Sequence, residues 1–380
     1  MKTVNCDLCG SNDYKTKFEI EISENVLRYY RYSRNIPQKE KMTENQTIVE
    51  CNECGLIYTN PRFSTEELNL VYSSDKVLGG NWKNFWYLFN SKLPDSFEAG
   101  EKKNSYNPNL YQWKFDIINK YFPHKKGNAK LLDIGCGDGK FVYDAIQKGY
   151  NAMGIDLSPD RISKGKKIYN LSDSQIACMN VDDFSGDQKF DVIVMWDVIE
   201  HVESPSLLLN SIKKICHSKT KIFALTMSVD SITYKLFKKD WNYINPTQHL
   251  HYFSHSTLKK MFEKSGFKLL GVEMDNSKSK NIIHLLARVL VGRLNLFFFK
   301  TYTKNRFYKF IFKPLQAGIS DKRLLKRIEN LYPGKYIGRY HDNFVFIGEL
   351  EDKQTMPNKS QTALKRSLAG TLALIIKDKK

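Results

Sequence analysis

The chain has 380 residues, 41% of them hydrophobic, which is enough for two or three domains with cores of their own. Its net charge of +18 favours anionic partners such as nucleic acid, phosphorylated sugars or an anionic membrane surface. There is no charge-free apolar stretch of about 20 residues and no pattern of a secretory signal peptide, so we expect a cytoplasmic protein rather than a membrane-spanning or secreted one.

Two cysteine pairs mark the N-terminal part of the chain. Cys6 and Cys9 form one C-x-x-C turn, Cys51 and Cys54 form another, and a glycine follows each pair. Together the turns supply four thiolates, which is the ligand set of a structural zinc site. A redox dithiol and an iron–sulfur cluster use the same residues and stay open. We therefore predict a zinc-ribbon domain over residues 1–78.

Three stretches around these pairs predict surfaces for packing or binding. Basic and aromatic residues alternate within 28–34, a pattern typical of nucleic-acid binding or of an element with one solvated face. Residues 79–105 form an aromatic connector, which we expect to pack against its neighbour or to cover a substrate as a lid. A helix is predicted to begin at Asn107-Pro108 and to end at Pro123.

Beyond the connector, strand and helix patterns alternate, which is typical of a parallel sheet covered by helices. The first strand, 130–134, carries Asp133 and leads into a loop with Gly135, Gly137 and Gly139. Glycine lets the backbone turn tightly and approach a ligand closely. The spacing is G-x-G-x-G rather than the G-x-G-x-x-G of dinucleotide sites. The acid before the first glycine suits an ammonium group better than a phosphate.

Another acid, Asp156, ends the second strand, where a carboxylate accepts from both hydroxyls of a ribose. Asp197, Glu200 and His201 follow the fourth strand, at the sheet edge where ligands of such folds bind. His201 is a candidate general base for an acceptor hydroxyl. The three side chains are alternatively ligands of a divalent cation, or Glu200 and His201 only orient the next helix. His249 begins an H-x-H string that is a candidate for contact with the acceptor.

With these motifs the sequence resembles the class I S-adenosylmethionine (SAM) dependent methyltransferases. The loop from Asp133 matches their acid-x-G-x-G-x-G motif. Residues 190–205 are similar to the F-D-x6-V-x-E-H-x3-P segment of small-molecule methyltransferases, and 249–254 to the segment before their last helix. The resemblance covers residues 1–275 and 341–350. It is to members with a zinc ribbon, including sugar C-methyltransferases and ubiquinone-type O-methyltransferases.

The resemblance implies an α/β, Rossmann-like, seven-stranded class I methyltransferase fold with a small N-terminal zinc-ribbon domain. The methyltransferase domain would cover 106–350, with its seventh strand at 343–349, antiparallel beside the sixth. Residues 276–340 then become a basic helical insertion, which either packs as a lid or dimer arm or lies on an anionic membrane surface. The remaining residues, 351–380, are a tail.

The resemblance also implies the residues of the site. An acid after the third strand accepts from the adenine amino group, and Asp182 or Asp183 matches it. The predicted SAM-binding residues are Asp133, Gly135, Cys136, Gly137, Gly139, Asp156, Leu157, Asp182, Asp183 and Trp196. The predicted catalytic residues are Glu200, His201 and His249. Quinone O-methyltransferases with a Glu-x-x-Glu-His segment hold a divalent cation there, and Asp197 replaces the first Glu in this chain.

We therefore predict a SAM-dependent methyltransferase that acts on an oxygen or carbon of a small molecule or glycan intermediate, in the cytoplasm or peripheral to the membrane. Its predicted cofactors are SAM and structural zinc. The alternative is a basic zinc-ribbon protein that binds nucleic acid, or an RNA methyltransferase. Nucleic acid is the less favoured partner, because the chain has neither an Asn/Asp-Pro-Pro-aromatic tetrapeptide nor a Pro-Cys pair. The sequence carries no signal for an oligomeric state.

Overall fold

The structure is a computed structural model. It describes residues 2–21, 45–62, 111–123, 128–185, 187–231, 234–235, 238–241, 243–246, 248–274 and 343–351. The stretch at 28–34, the aromatic connector, the start of the predicted helix at 107, the basic insertion and the tail beyond 351 lie outside these residues, so the proposals for them stay predictions. Among the described residues, no helix is long and apolar enough to cross a bilayer.

In chain order the described strands are β1 Tyr14–Glu21, β2 Asn45–Cys51, β3 Ile57–Thr59, β4 Lys130–Ile134, β5 Asn151–Asp156, β6 Ile176–Cys178, β7 Phe190–Trp196, β8 Cys216–Met227, β9 His251–Tyr252, β10 Phe267–Met274 and β11 Asn343–Leu350. The α-helices are α1 Gln112–Tyr121, α2 Lys140–Gln147, α3 Pro159–Tyr169, α4 Pro205–Lys214 and α5 His255–Lys264. Short 3₁₀ turns cover Val181–Asp183 and Lys238–Asp240.

The larger sheet has the strand order β10-β11-β8-β7-β4-β5-β6. Its members from β4 to β8 pair in parallel, whereas β11 runs antiparallel between β8 and β10. The predicted seventh strand at 343–349 is therefore confirmed, and so is the Rossmann-like seven-stranded fold. In this order the carboxyl ends of β4 and β7 lie side by side, which brings the glycine loop and the Glu200 segment to one edge.

The residues of β7 show that the larger sheet is buried on both faces. Its residues Val192 and Val194 belong to one hydrophobic cluster, while Ile193 and Met195 belong to another on the opposite face. Successive side chains of a strand point to opposite faces, so a continuous apolar run is what a central parallel strand requires. The helices that cover these faces begin at side-chain caps, as Ser158 does for α3 and Ser204 for α4.

The smaller sheet has the order β1-β2-β3-β9 and joins the N-terminal part of the chain to the second half. β3 pairs antiparallel with β9, with Ile57 opposite Tyr252 and Tyr58 opposite His251. The cysteine turns also share a hydrophobic cluster with Ile199, next to Glu200. The N-terminal part is therefore packed directly against the predicted acceptor site, and its boundary at residue 78 stays a prediction.

Candidate methyl-donor and acceptor site

The glycine loop between β4 and α2 has a backbone that favours glycine. Gly135, Gly137 and Gly139 have φ angles of 73°, 60° and 76°, in the left-handed region. A Cβ on Gly135 would lie 2.6 Å from Cγ2 of Val198, so a larger residue has no room there. The amide of Gly135 donates to the carbonyl of Ile155 at 2.8 Å, which fixes the loop above β5. This loop lies at the carboxyl edge of the sheet.

Asp133, at the end of β4, is a buried acid with an unsatisfied oxygen. Its side chain is 2% exposed, and none of the described residues donates a hydrogen bond to Oδ1. Burial raises the pKa of Asp133 to about 8, the charge of Lys114 opposes this rise, and Asp156 adds to it. A buried polar atom without a partner is costly in a folded protein. A cationic ligand group that donates to Oδ1 would remove that cost.

Lys114 on α1 is a candidate site residue that sequence reasoning missed. It is 8% exposed, and its Nζ lies 4.5 Å from the ring centroid of Trp196 and 4.7 Å from that of Tyr111. The indole Nε1 of Trp196 is itself buried and has no acceptor among the described residues. The available signal was the position of Lys114, which shares the buried face of α1 with Ile117 and Ile118.

Asp156, at the end of β5, connects the glycine loop to α3. Its Oδ2 accepts from the amide of Gly137 at 2.9 Å, and its Oδ1 accepts from the amide of Ser158 at 2.8 Å. Each carboxylate oxygen can accept more than one hydrogen bond, so ribose hydroxyls remain possible donors. Leu157, beside it, is 64% exposed. Cys136 packs towards Gly154, where an added Cβ would lie 2.8 Å from its Sγ.

The two acids predicted for adenine both have protein partners. Asp182 accepts from the hydroxyl of Ser211 at 2.6 Å and from Nζ of Lys214 at 3.1 Å. The Ser211 hydrogen bond, followed by that of Lys214, lowers the pKa of Asp182. Asp183 accepts from the amide of Asn180 at 2.7 Å as part of a capping box. The adenine contact of either acid stays a prediction.

The second polar cluster consists of Glu200, His201 and His249, whose ligand atoms lie within 4.8 Å of one another. His201 Nε2 is 4.0 Å from Oε1 of Glu200, and the two imidazole centroids are 4.8 Å apart. Oε2 of Glu200 accepts from the hydroxyl of Thr226 at 2.9 Å. The backbone carbonyl of Glu200 accepts from the amides of Leu250 and His251, which brings the His249 loop to the turn after β7.

Hydrogen bonds to the backbone orient both imidazoles of this cluster. Nδ1 of His201 lies 2.9 Å from the carbonyl of Gln248, and Nδ1 of His249 lies 2.6 Å from the carbonyl of Tyr243. A carbonyl can only accept, so we assign the proton of each ring to Nδ1. In both rings Nε2 is then the basic nitrogen. This tautomer suits a general base, and it equally suits a metal ligand.

Burial determines the protonation of the cluster. It lowers the pKa of His201 to about 4 and, with the charge of His201 adding to it, lowers that of His249 to about 3. It raises the pKa of Glu200 to about 8, and Asp197 adds to this rise. Asp197 is exposed, has a φ of 58°, and does not belong to the described cluster. His249 therefore occupies the third position that spacing alone suggested for Asp197.

The four N-terminal cysteines form a second group with the chemistry of a metal site. Sγ of Cys6 is 3.4 Å from that of Cys54, Sγ of Cys9 is 3.4 Å from that of Cys51, and all four lie within 4.8 Å of one another. Zinc bound tetrahedrally at about 2.3 Å from each sulfur would separate the sulfurs by about 3.8 Å. Burial raises the pKa of Cys54 to about 11, so a bound cation would be needed to hold it as thiolate. The group fits zinc.

Residues 105–272 match the family model described as a methyltransferase domain. The chain carries a class I, SAM-dependent methyltransferase domain. The glycine loop and Asp156 lie within this segment, and β11 completes its sheet. Within this domain Asp133, Asp156 and Trp196 lie at the carboxyl ends of their strands, and Glu200 and His201 lie in the turn that follows β7.

The methyltransferase domain is similar to curated proteins over part of their length. The ubiquinone biosynthesis O-methyltransferase of Xanthomonas oryzae pv. oryzae is 26% identical over 105 residues, which are 26% of this chain and 44% of that protein. The mitochondrial ubiquinone biosynthesis O-methyltransferase of Candida albicans is 30% identical over 112 residues, 27% of this chain and 34% of that protein. The chain thus spans less than half the length of these relatives.

Solved structures are similar at low TM-scores. The phosphoethanolamine N-methyltransferase 2 of Haemonchus contortus, in complex with SAM, has a TM-score of 0.43 at 16% identity and covers 86% of this chain and 73% of its own. A SAM-dependent methyltransferase from Archaeoglobus fulgidus has a TM-score of 0.38 at 20% identity, covering 70% of this chain and 99% of its own. The fold is assigned here from the strand order of the sheet.

Proposed function

We propose that this protein transfers a methyl group from SAM to an oxygen or carbon atom of a small molecule or glycan intermediate. The observation that carries the proposal is Asp133, a buried acid with an unsatisfied oxygen beside a left-handed glycine loop. The names of the curated relatives favour an oxygen of a small acceptor. The acceptor, the zinc and the assignment of individual site residues are parts of this proposal.

The donor half of the site would bind both charged groups of the methionine part of SAM. SAM carries a methionine ammonium and carboxylate, a ribose, and the sulfonium that supplies an electrophilic methyl group. Asp133 would accept from the ammonium, while Lys114 would neutralise the carboxylate. Asp156 would accept from the ribose hydroxyls. The buried indole of Trp196 would help to exclude water from this half of the site, where electrostatic interactions are then stronger.

The acceptor half would remove a proton. His201 and His249 are neutral at pH 7 because burial lowers the pKa of each, so a basic Nε2 is available without prior deprotonation. His201 would take the proton of an acceptor hydroxyl or of an acidic C–H group. Glu200, with Oε1 4.0 Å away, would stabilise the resulting imidazolium when ionised. Proximity and orientation of the two substrates would supply most of the remaining rate.

Titration calorimetry with S-adenosylhomocysteine, the product form of the donor, tests this proposal. Zinc-loaded wild-type protein is expected to bind one ligand per chain. Asp156→Ala is expected to bind about 10-fold more weakly or worse, since it loses a charged acceptor. Asp173→Ala is the control, because Asp173 is an exposed acid of the same domain whose side chain pairs with Lys166. No saturable binding by wild type, or equal binding by both variants, would refute the proposal.

A divalent cation at Glu200, His201 and His249 is the second candidate for the acceptor half, because these atoms offer a carboxylate and two oriented imidazoles. Mn²⁺ titration followed by electron paramagnetic resonance distinguishes a bound cation from a histidine general base. A Mn²⁺ site lost in both Glu200→Gln and His249→Gln would support the cation. Absence of Mn²⁺ binding in wild type would leave His201 as a general base.

A further inference from the structure

The four-cysteine site and the acceptor cluster are joined by one strand pairing. β3 follows Cys54 closely in the chain, and β9 follows His249. These strands pair antiparallel as neighbours in the small sheet. The strand that leaves the second cysteine turn therefore lies against the segment that carries His249.

Thr59, the last residue of β3, holds the backbone of His249. Its side chain is fully buried. Its hydroxyl donates to the carbonyl of His249 at 3.1 Å, and its amide donates to the carbonyl of Leu250 at 3.0 Å. Two consecutive carbonyls are thus fixed by one residue of the N-terminal part. Because the ring of His249 is held only 2.6 Å from the Tyr243 carbonyl, a shift of its backbone would change that hydrogen bond.

The first cysteine turn holds the other segment of the cluster. Asp7, between Cys6 and Cys9, accepts from the hydroxyl of Ser204 at 2.5 Å, from the amide of Ser206 at 2.8 Å and from its hydroxyl at 3.0 Å. Ser204 is also the N-cap of α4, the helix that follows the Glu200–His201 turn. Both cysteine turns are therefore connected to the acceptor cluster, one to each of the two segments that form it.

A buried cation adds a third connection. Arg62, which is 6% exposed, follows β3 and donates from Nη2 to the carbonyl of Glu203 at 2.7 Å. This carbonyl lies between His201 and the start of α4. The N-terminal part thus contacts the backbone after His201 as well as that of His249. Small displacements of the cysteine turns would reach both imidazoles, because packed interiors transmit strain.

We propose that Thr59 is a positioning residue through which the metal-loaded four-cysteine site sets the orientation of His249 in the acceptor cluster. The N-terminal part then has a role beyond its own folding. Its consequence for methyl transfer rests on the proposed function, but the connection itself does not and can be measured without an acceptor.

Nitrogen NMR of the histidine side chains in zinc-loaded, full-length protein tests the connection. Wild type is expected to show His249 in one tautomer, with the proton on Nδ1. Thr59→Val keeps the shape of the side chain but removes its donor, and is expected to give a second set of His249 ring signals. Thr59→Ser restores the hydroxyl and is expected to restore the wild-type spectrum. His217, bonded to Asp191 at the far end of β8, serves as the internal control.

The outcomes separate this inference from the function proposed above. Unchanged His249 signals in Thr59→Val, with zinc content retained, would overturn the inference. S-adenosylhomocysteine affinity is expected to stay within about twofold of wild type in Thr59→Val, since the hydroxyl that is removed donates to the carbonyl of His249, in the acceptor cluster. If this ligand fails to bind wild type, the methyltransferase proposal fails, whereas the NMR result still decides the role of Thr59.

Removal of the metal tests the same connection from its other end. Protein stripped of zinc by a chelator is expected to show the altered His249 signals of Thr59→Val while it still binds S-adenosylhomocysteine. Native His249 signals in the stripped protein would overturn the coupling. If the stripped protein loses both ligand binding and all of its native NMR signals, the coupling is also overturned, because the metal then supports the whole fold rather than this one contact.

Discussion

The buried carboxyl group of Asp133 predicts that donor affinity depends on pH. Burial raises its pKa to about 8, so the group is largely protonated in the free protein at neutral pH. An ammonium requires the ionised form as its acceptor. A proton must therefore leave Asp133 when the ligand binds, and the affinity is expected to rise with pH up to about 8.

The size of this effect follows from the pKa. With a pKa near 8, about 1% of Asp133 is ionised at pH 6.0 and about 24% at pH 7.5. Apparent affinity scales with the competent fraction, so binding is expected to be about 25-fold tighter at pH 7.5. Asp133→Asn removes the titrating group and should abolish this dependence. It also loses a charge-assisted hydrogen bond worth about 1.5–3 kcal/mol, or about 10- to 150-fold in affinity.

Calorimetry with S-adenosylhomocysteine in two buffers of different ionisation enthalpy measures both the affinity and the protons released. Wild type is expected to release about one proton per ligand at pH 6.0 and about 0.8 at pH 7.5, whereas Asp133→Asn is expected to release none. Asp144→Asn is a matched control, since Asp144 is buried in the same domain but pairs with Lys140 at 2.9 Å. A wild-type affinity that is flat over this range, or a pH dependence that survives in Asp133→Asn, would show that Asp133 is not the group that loses a proton on binding.

Three further predictions concern stability and metal. Burial raises the pKa of Glu200 in the folded state, so the free energy of unfolding of the wild type falls as pH rises from 4.5 towards 8. Glu200→Gln lacks this titration. Between pH 5.5 and 8.0 its free energy of unfolding, measured with urea, should therefore rise by up to about 3 kcal/mol relative to that of the wild type. The lowered pKa of His249 has the opposite effect, because the unfolded state binds a proton first and the protein loses stability as pH falls below 6.5. His249→Gln should reduce that loss by about 1–3 kcal/mol at pH 4, a range that allows for solvent screening of a partly exposed ring. Equal pH profiles for variant and wild type would contradict either prediction. Cys54→Ser should lower the zinc content measured by mass spectrometry, whereas Cys216→Ser, a buried cysteine outside the cluster, should retain it; equal content in the two would argue against a four-cysteine zinc site.

Local pattern predicted the α/β sheet well where strands are buried. The strand at 130–134 has the predicted bounds, because its apolar residues lie directly before a loop marked by glycines. β8, in contrast, begins at Cys216, several residues before its continuous apolar run starts at Ile222. Its first residues His217, Ser218 and Lys219 are polar and resemble a loop, yet Cys216 pairs opposite Phe190. Local composition does not show that the end of a strand pairs with the adjacent strand.

Contacts between distant parts of the chain account for what the sequence could not predict. The two-residue strand β9 is too short to have a periodicity, and only its pairing with β3 brings Thr59 to His249. Spacing suggested Asp197 as the third member of the acceptor cluster. In the described cluster the third side chain is instead that of His249, which a loop distant in the chain provides.

Methyl transfer from SAM to a small acceptor, as proposed above, can be measured directly. The most direct test incubates zinc-loaded protein and methyl-labelled SAM with separated small-molecule, glycan-lipid, RNA and DNA fractions of a cell extract. We expect wild type to label a compound in the small-molecule or glycan fraction, and Asp156→Ala and Glu200→Gln to label little or none. Label that appears only in RNA or DNA, or transfer that is undiminished in Asp156→Ala, would contradict the proposed reaction.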